Sequence, residues 1–202
     1  MYPVHYLDFE TLNTAIPLFD GIRPYQQVPF QFSLHVVQQP GDAPEQHAFL
    51  GDASTDPRRG LLAALRASIG SEGSIVAYNK SFEIGVLHTL GRAFPEYKAW
   101  AEGVCDRMVD LLVPFRGFNY YNPIQRGSAS LKRVLPALTG EGYDGLAISD
   151  GSLAGLAYLS CGAGMSAEEI QQIRTNLLEY CGLDTSGMIQ IVERLTELSR
   201  IQ

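Results

Sequence analysis

The chain has 202 residues, 46% of them hydrophobic and 18% charged, which is enough to build one domain around a real core. Its net charge of −7 argues against an extended nucleic-acid surface, although an enzyme that holds nucleic acid through metal ions would draw its positive charge from the ions. No apolar run reaches the roughly 18 residues of a membrane span, and the N-terminus lacks a signal-peptide pattern. Cys105, Cys161 and Cys181 are an odd set without zinc spacing. They read as reduced thiols of a cytoplasmic protein with no membrane partner.

Residues 4–10 alternate as a strand, with Val4, Tyr6 and Asp8 on one side and His5, Leu7 and Phe9 on the other. A loop with Pro17, Gly21 and Pro24 is expected from Thr11 to Tyr25. A second strand is expected over Phe30–Val37 and a third over "QHAFLG". Helical spacing starts at Pro57 and runs to Gly70, and the strand "SIVAY" (Ser74–Tyr78) leads directly into helical "SFEIGVLHTLGRAF". Phe115–Ser130 reads as an ordered loop rich in aromatics, Asn, Gly and Ser. "SLKRVLPAL" is a short helix stopped near Pro136, and "DGSLAGLAYLSCG" is another. From Ser166 to Ser199 the pattern is helical, with Gly182 and Gly187 as weak points. The expectation is a single α/β domain over residues 1–202, a mixed sheet flanked by helices.

Three acidic patterns stand out. Asp8 and Glu10, two apart on a strand, project together about 7 Å apart. Such a pair needs a cation to offset repulsion, unless both acids point into water at a strand end. Glu83 falls in the first turn of a helix just after a strand, where the dipole alone would favour it. Tyr180 and Asp184, four apart, share a helix face amid Leu177, Leu178, Leu183 and Ile191.

In this order, D-x-E, then "YNKSFEIGVL", then "YCGLD", the motifs resemble the DEDD superfamily of 3′-to-5′ exonucleases, which have the ribonuclease-H-like fold. The tyrosine subtype is the nearer likeness: Glu179, not His, stands five residues before Asp184. "RPYQQVPFQFSLHV", "GSASLKRVLPAL" and "YCGLDTSGM" are also similar to an uncharacterised bacterial domain family often found at the C-terminal end of longer chains. That likeness is consistent with a domain excised from a longer chain, whose other domains would be further partners. One departure is that Glu83 stands where the exonucleases have Asp.

The resemblance implies two-metal hydrolysis of phosphodiester bonds in DNA or RNA with Mg²⁺ or Mn²⁺, releasing nucleoside 5′-monophosphates. The partner is a single-stranded nucleic acid or a 3′ end. Asp8 would bridge both ions, Glu10 and Asp184 would complete the first site, and Glu83 would serve the second. Tyr180, with an ordinary pKa near 10, would orient the attacking water rather than act as a base. By motif position Asn79 would bond the terminal nucleotide, Phe82 would pack on a base or sugar, and Thr11 and Leu12 would approach the 3′ end. For Phe82 a core aromatic explains the residue equally well. Arg126, Lys132 and Arg133 flank a Gly-Ser segment opening a helix, suited to a phosphate or simply a solvated face. Tyr120 and Tyr121 suit either stacking on a strand or loop packing. His5 and His35 read as satisfied sheet residues, not ligands. The competing expectation is a catalytically impaired module of the same fold that binds nucleic acid or protein.

Overall fold

Apolar residues of opposite parity on the strands decide the layering. The structure, a computed structural model, describes residues 1–162 and 164–200. Its elements are β1 (Val4–Leu12), β2 (Val28–Val37), β3 (Glu45–Leu50), α1 (Arg58–Ser68), β4 (Ser74–Ala77) and α2 (Lys80–Ala93), then α3 (Lys98–Asp106), β5 (Met108–Asp110), α4 (Val113–Arg116), α5 (Leu131–Thr139), α6 (Gly151–Ser160) and α7 (Ala167–Ser199). The sheet order is β3-β2-β1-β4-β5. Pairing is antiparallel among β3, β2 and β1 and parallel from β1 through β4 to β5. This is the α/β mixed sheet flanked by helices expected from the sequence.

On one face Leu7 and Phe9 of β1 join Phe32, Leu34 and Val36 of β2 against α1 and α2. On the other, Tyr6, Val37 and Val76 pack under α5 and α7. A third cluster, with Leu12, Phe30, Tyr158 and Leu177, seats α6 at the end of β1. The β1–β2 register shifts there, from Glu10 opposite Gln31 to Thr11 opposite Pro29. The bulge admits Pro29, which has no N–H to give a ladder.

The helix α7 meets β2 through polar side chains. Gln31 Nε2 donates to the Leu177 carbonyl at 2.8 Å. Thr185 Oγ1 lies 2.7 Å from Ser33 Oγ and 2.8 Å from His35 Nδ1. Arg174 donates to the carbonyls of Leu50 and Gly51, fixing the same helix to the end of β3. His35 is thus the satisfied sheet residue expected, but the Nδ1 of buried His5 has no partner.

Several boundaries differ from expectation. β1 continues through Thr11 and Leu12, where a loop was expected, because the bulge lets pairing with β2 go on. α5 runs past Pro136 to Thr139; a proline in mid-helix removes one hydrogen bond but need not end a helix packed on both sides of it. Gly182 and Gly187 do not weaken α7 but let its neighbours approach. A Cβ at Gly187 would lie 2.7 Å from Leu135 Cδ2, and one at Gly182 would lie 2.9 Å from Gln46 Nε2. α3 and β5 were not expected; β5 has three residues, too few for a period to be read.

Thr185→Val would leave Ser33 and His35 facing α7 without their common partner. We expect a loss of about 1–3 kcal/mol in urea unfolding, against less than about 0.5 for the exposed control Thr196→Val.

Candidate metal centre

Three elements converge at one cleft of about 290 Å³: the C-terminal half of β1, the start of α2 and the middle of α7. Asp8, Glu10, Glu83, Tyr180 and Asp184 all line it, as do Asn79, Phe82 and Lys132. The alternation of β1 puts Asp8 and Glu10 on the α7 side, opposite Ser33 and Gln31 of β2. One oxygen of each lies with the Cys181 sulfur inside a 4.8 Å group, and Cys181 Sγ is 3.6 Å from Asp8 Oδ2. Gly151, the first residue of α6, sits against Glu10, where a Cβ would come 3.4 Å from Oε2.

Strand β4 passes through Tyr78 and Asn79 into α2. The Asn79 side chain makes no cap hydrogen bond, which leaves it free to face the cleft. Glu83 is only 3% exposed, so it is not a solvated first-turn acid, and its Oε2 is buried with no hydrogen-bond partner. A buried carboxylate oxygen without a partner is costly and calls for a cation or a proton. Phe82 both lines the cleft and packs on the α1–α2 core.

Helical spacing turns Tyr180 and Asp184 to the same side of α7. The Tyr143 hydroxyl, from the segment between α5 and α6, donates to Asp184 Oδ1. The rings of Tyr143 and Tyr180 lie 6.1 Å apart, and Lys132 Nζ stands 4.9 Å from the Tyr180 ring centre. Lys132 Nζ also donates to the Ser149 carbonyl at 2.5 Å.

Burial dominates the electrostatics. It pushes the Asp8 carboxyl well above the usual range, with Asp184, Glu10 and Glu83 adding to the shift. Burial, reinforced by Asp184, raises Glu10 to about 8 while Lys132 opposes. Burial likewise raises Glu83 to about 8, with a smaller push from Asp110. Asp184 rises only to about 6, because the Tyr143 hydrogen bond and Lys132 favour its charged form. The Tyr180 hydroxyl is pushed upward by burial and by the surrounding acids, so it stays protonated at neutral pH.

Three expected substrate contacts lie outside the cleft lining. Leu12 is a core residue of the α6 cluster. Thr11 donates to Gln27 Oε1 at 2.6 Å. Arg126 is exposed and closes a short 3₁₀ turn with φ +53°. Sequence reasoning passed over Tyr143, Tyr78 and a site role for Cys181. Cys181 stood inside "YCGLD"; Tyr143 has no signal beyond being a lone aromatic in a Gly- and Asp-containing turn.

Among the described residues, the ligand atoms gathered within 4.8 Å of one another are those of Asp8, Glu10 and Cys181; Glu83 and Asp184 line the same cleft with further carboxylate oxygens, the donor type that hard divalent cations take. Residues 5–130 match a family described as a domain of unknown function (DUF2779), and the chain belongs to that family. The match takes in Asp8, Glu10, Asn79 and Glu83; Tyr143, Tyr180 and Asp184 lie beyond it. The chain is 26% identical over 215 residues to an uncharacterised protein, MG366, of Mycoplasma genitalium, covering 96% of this chain and 32% of that protein. Its homolog in Mycoplasma pneumoniae is 25% identical over 209 residues, covering 92% of this chain and 31% of that protein. The chain thus spans about a third of the length of these relatives. No solved structure matches it. Among the described residues no helix is long and apolar enough to cross a membrane.

With folded pKa values raised, the native carboxyls keep protons that the unfolded chain releases, so deprotonation favours unfolding. In chelator-treated protein, thermal melts should therefore show stability falling as pH climbs from about 4.5 to about 8. Tyr143→Phe removes a donor to Asp184, and should cost about 1–3 kcal/mol in urea unfolding at pH 7.

Proposed function

We propose that the protein is a metal-dependent 3′-to-5′ exonuclease of the DEDD type, tyrosine subtype, acting on DNA or RNA. The observation that carries this reading is the gathering of Asp8, Glu10, Glu83 and Asp184 from three elements into one cleft, with Glu83 Oε2 buried and unpartnered. A domain without use for cations gains nothing from keeping repelling acids together out of water.

Asp8, Glu10 and Asp184 would hold one Mg²⁺ or Mn²⁺, and Asp8 with Glu83 a second. Bound there, the ions would supply the Lewis acidity that lowers the pKa of an attacking water and offset charge on the leaving oxygen. The chain's own residues do the positioning. Tyr180, protonated and fixed on α7 beside Asp184, orients the nucleophile by donating or accepting a hydrogen bond. Lys132, between the tyrosine rings and the acids, places a positive charge where a phosphate would enter. Asn79, freed from capping, offers its amide to the terminal nucleotide, and Phe82 supplies an apolar wall.

The longer Glu83 in place of Asp favours the second reading, an impaired module that binds without cutting. Incubating 5′-labelled single-stranded DNA and RNA with Mn²⁺ or Mg²⁺ separates the two. A ladder shortening from the 3′ end, abolished by chelator and by Asp8→Ala, is the expected result. Tyr180→Phe should lower kcat on the order of 10²-fold. Intact substrate in every metal, with the protein shown to be folded, would leave only the module.

A further inference from the structure

We propose that the loop from Phe118 to Ile124 is a stacking platform for a single-stranded nucleic acid, delivering the strand to the cleft. The strand's destination rests on the nuclease reading, whereas the platform rests on three separate features.

The first is charge. Residues 111–140 carry four of the chain's 15 basic residues, Arg116, Arg126, Lys132 and Arg133, and none of its 22 acidic ones. In a chain of net charge −7 this is where a polyphosphate meets no repelling neighbour along the sequence.

The second is that large apolar side chains on this loop face water. Phe118 is 67% exposed, Ile124 64% and Tyr121 44%. The Phe118 and Tyr121 rings lie 5.6 Å apart, whereas the adjacent Tyr120 turns inward and packs edge-on against Phe115. Stacking on aromatic faces beside basic groups is how proteins hold single strands without reading sequence.

The third is that the loop is built, not slack. Phe118 holds φ +54°, an unfavourable region for a residue with a side chain. Gln125, 1% exposed, accepts from the Asn122 N–H at 2.8 Å and donates to the Ser128 carbonyl at 3.1 Å. Tyr121 Oη accepts from the Gly127 N–H at 3.1 Å. The chain on either side of the loop is fastened to Tyr78, a cleft residue: Phe115 stacks on the Tyr78 ring, and the Tyr78 hydroxyl donates to the Ala129 carbonyl at 2.6 Å. A braced loop that presents two rings to water, followed at Ser130–Lys132 by residues that line the acidic cleft, suits a flexible chain of stacked bases.

The test is fluorescence anisotropy with labelled oligo(dT) and oligo(U) in chelator, where no cleavage occurs. Wild type should bind single strands more tightly than a duplex of the same length. Phe118→Ala and Tyr121→Ala should each weaken binding roughly tenfold. Phe118→Trp should restore it, and Arg126→Gln should reduce the salt dependence. Equal binding by wild type and the alanine variants, with unchanged melting temperatures, overturns the platform. So does a duplex preference, or failure of folded wild type to bind any strand, which would leave the patch to a protein partner. Because the readout needs no hydrolysis, a protein that binds through these rings but never cuts refutes the exonuclease and keeps the platform.

Discussion

Three buried carboxylates, Glu10, Glu83 and Asp184, and the half-buried Asp8 repel each other and lose hydration, and the architecture around them is shaped by that burden. Each acid comes from an element anchored elsewhere: β1 is held between two strands, α2 grows directly out of β4, and α7 is tied to β2 and β3. No single element could place them, and none can withdraw its acid without leaving its own packing. The groups that ease the repulsion include Lys132 and the Tyr143 hydroxyl, whereas Asp150, the N-cap of α6, adds a further negative charge near Glu10.

The underside of α7 is part of the same arrangement. Where an ordinary helix-on-sheet contact would be apolar, Gln31, Ser33 and His35 instead meet Leu177 and Thr185 through hydrogen bonds. Those bonds are directional, so they fix the helix's rotation more sharply than side-chain packing would. Thr185 is the residue after Asp184, and the rotation it enforces turns Asp184 and Tyr180 toward β1. Glycines at positions 182 and 187 then let the helix sit close to its neighbours.

Much of this was legible in short periodicities. Parity along β1 placed Asp8 and Glu10 together, and a spacing of four placed Tyr180 with Asp184, because both relations follow from backbone geometry alone. That Glu83 joins them required a resemblance, since nothing local distinguishes a buried first-turn acid from a solvated one. Tyr143 was beyond reach: it touches Asp184 from 41 residues away, out of a turn with no periodic signal. Leu12 lies in the core of the α6 cluster and not in the cleft lining; the strand was expected to end at Glu10, so its continuation to a buried Leu12 was not legible.

The contact between Thr185 and Ser33 spans 152 residues, and that between Cys181 and Asp8 spans 173. Closing loops of that length is entropically slow, and local pairings such as β1 with β2 form ahead of it. Asp8 and Glu10 already share a face of β1, but Asp184 joins them only when α7 arrives, so its share of the repulsion falls on that docking step. The helix that completes the site is thereby also the one whose docking bears that electrostatic cost.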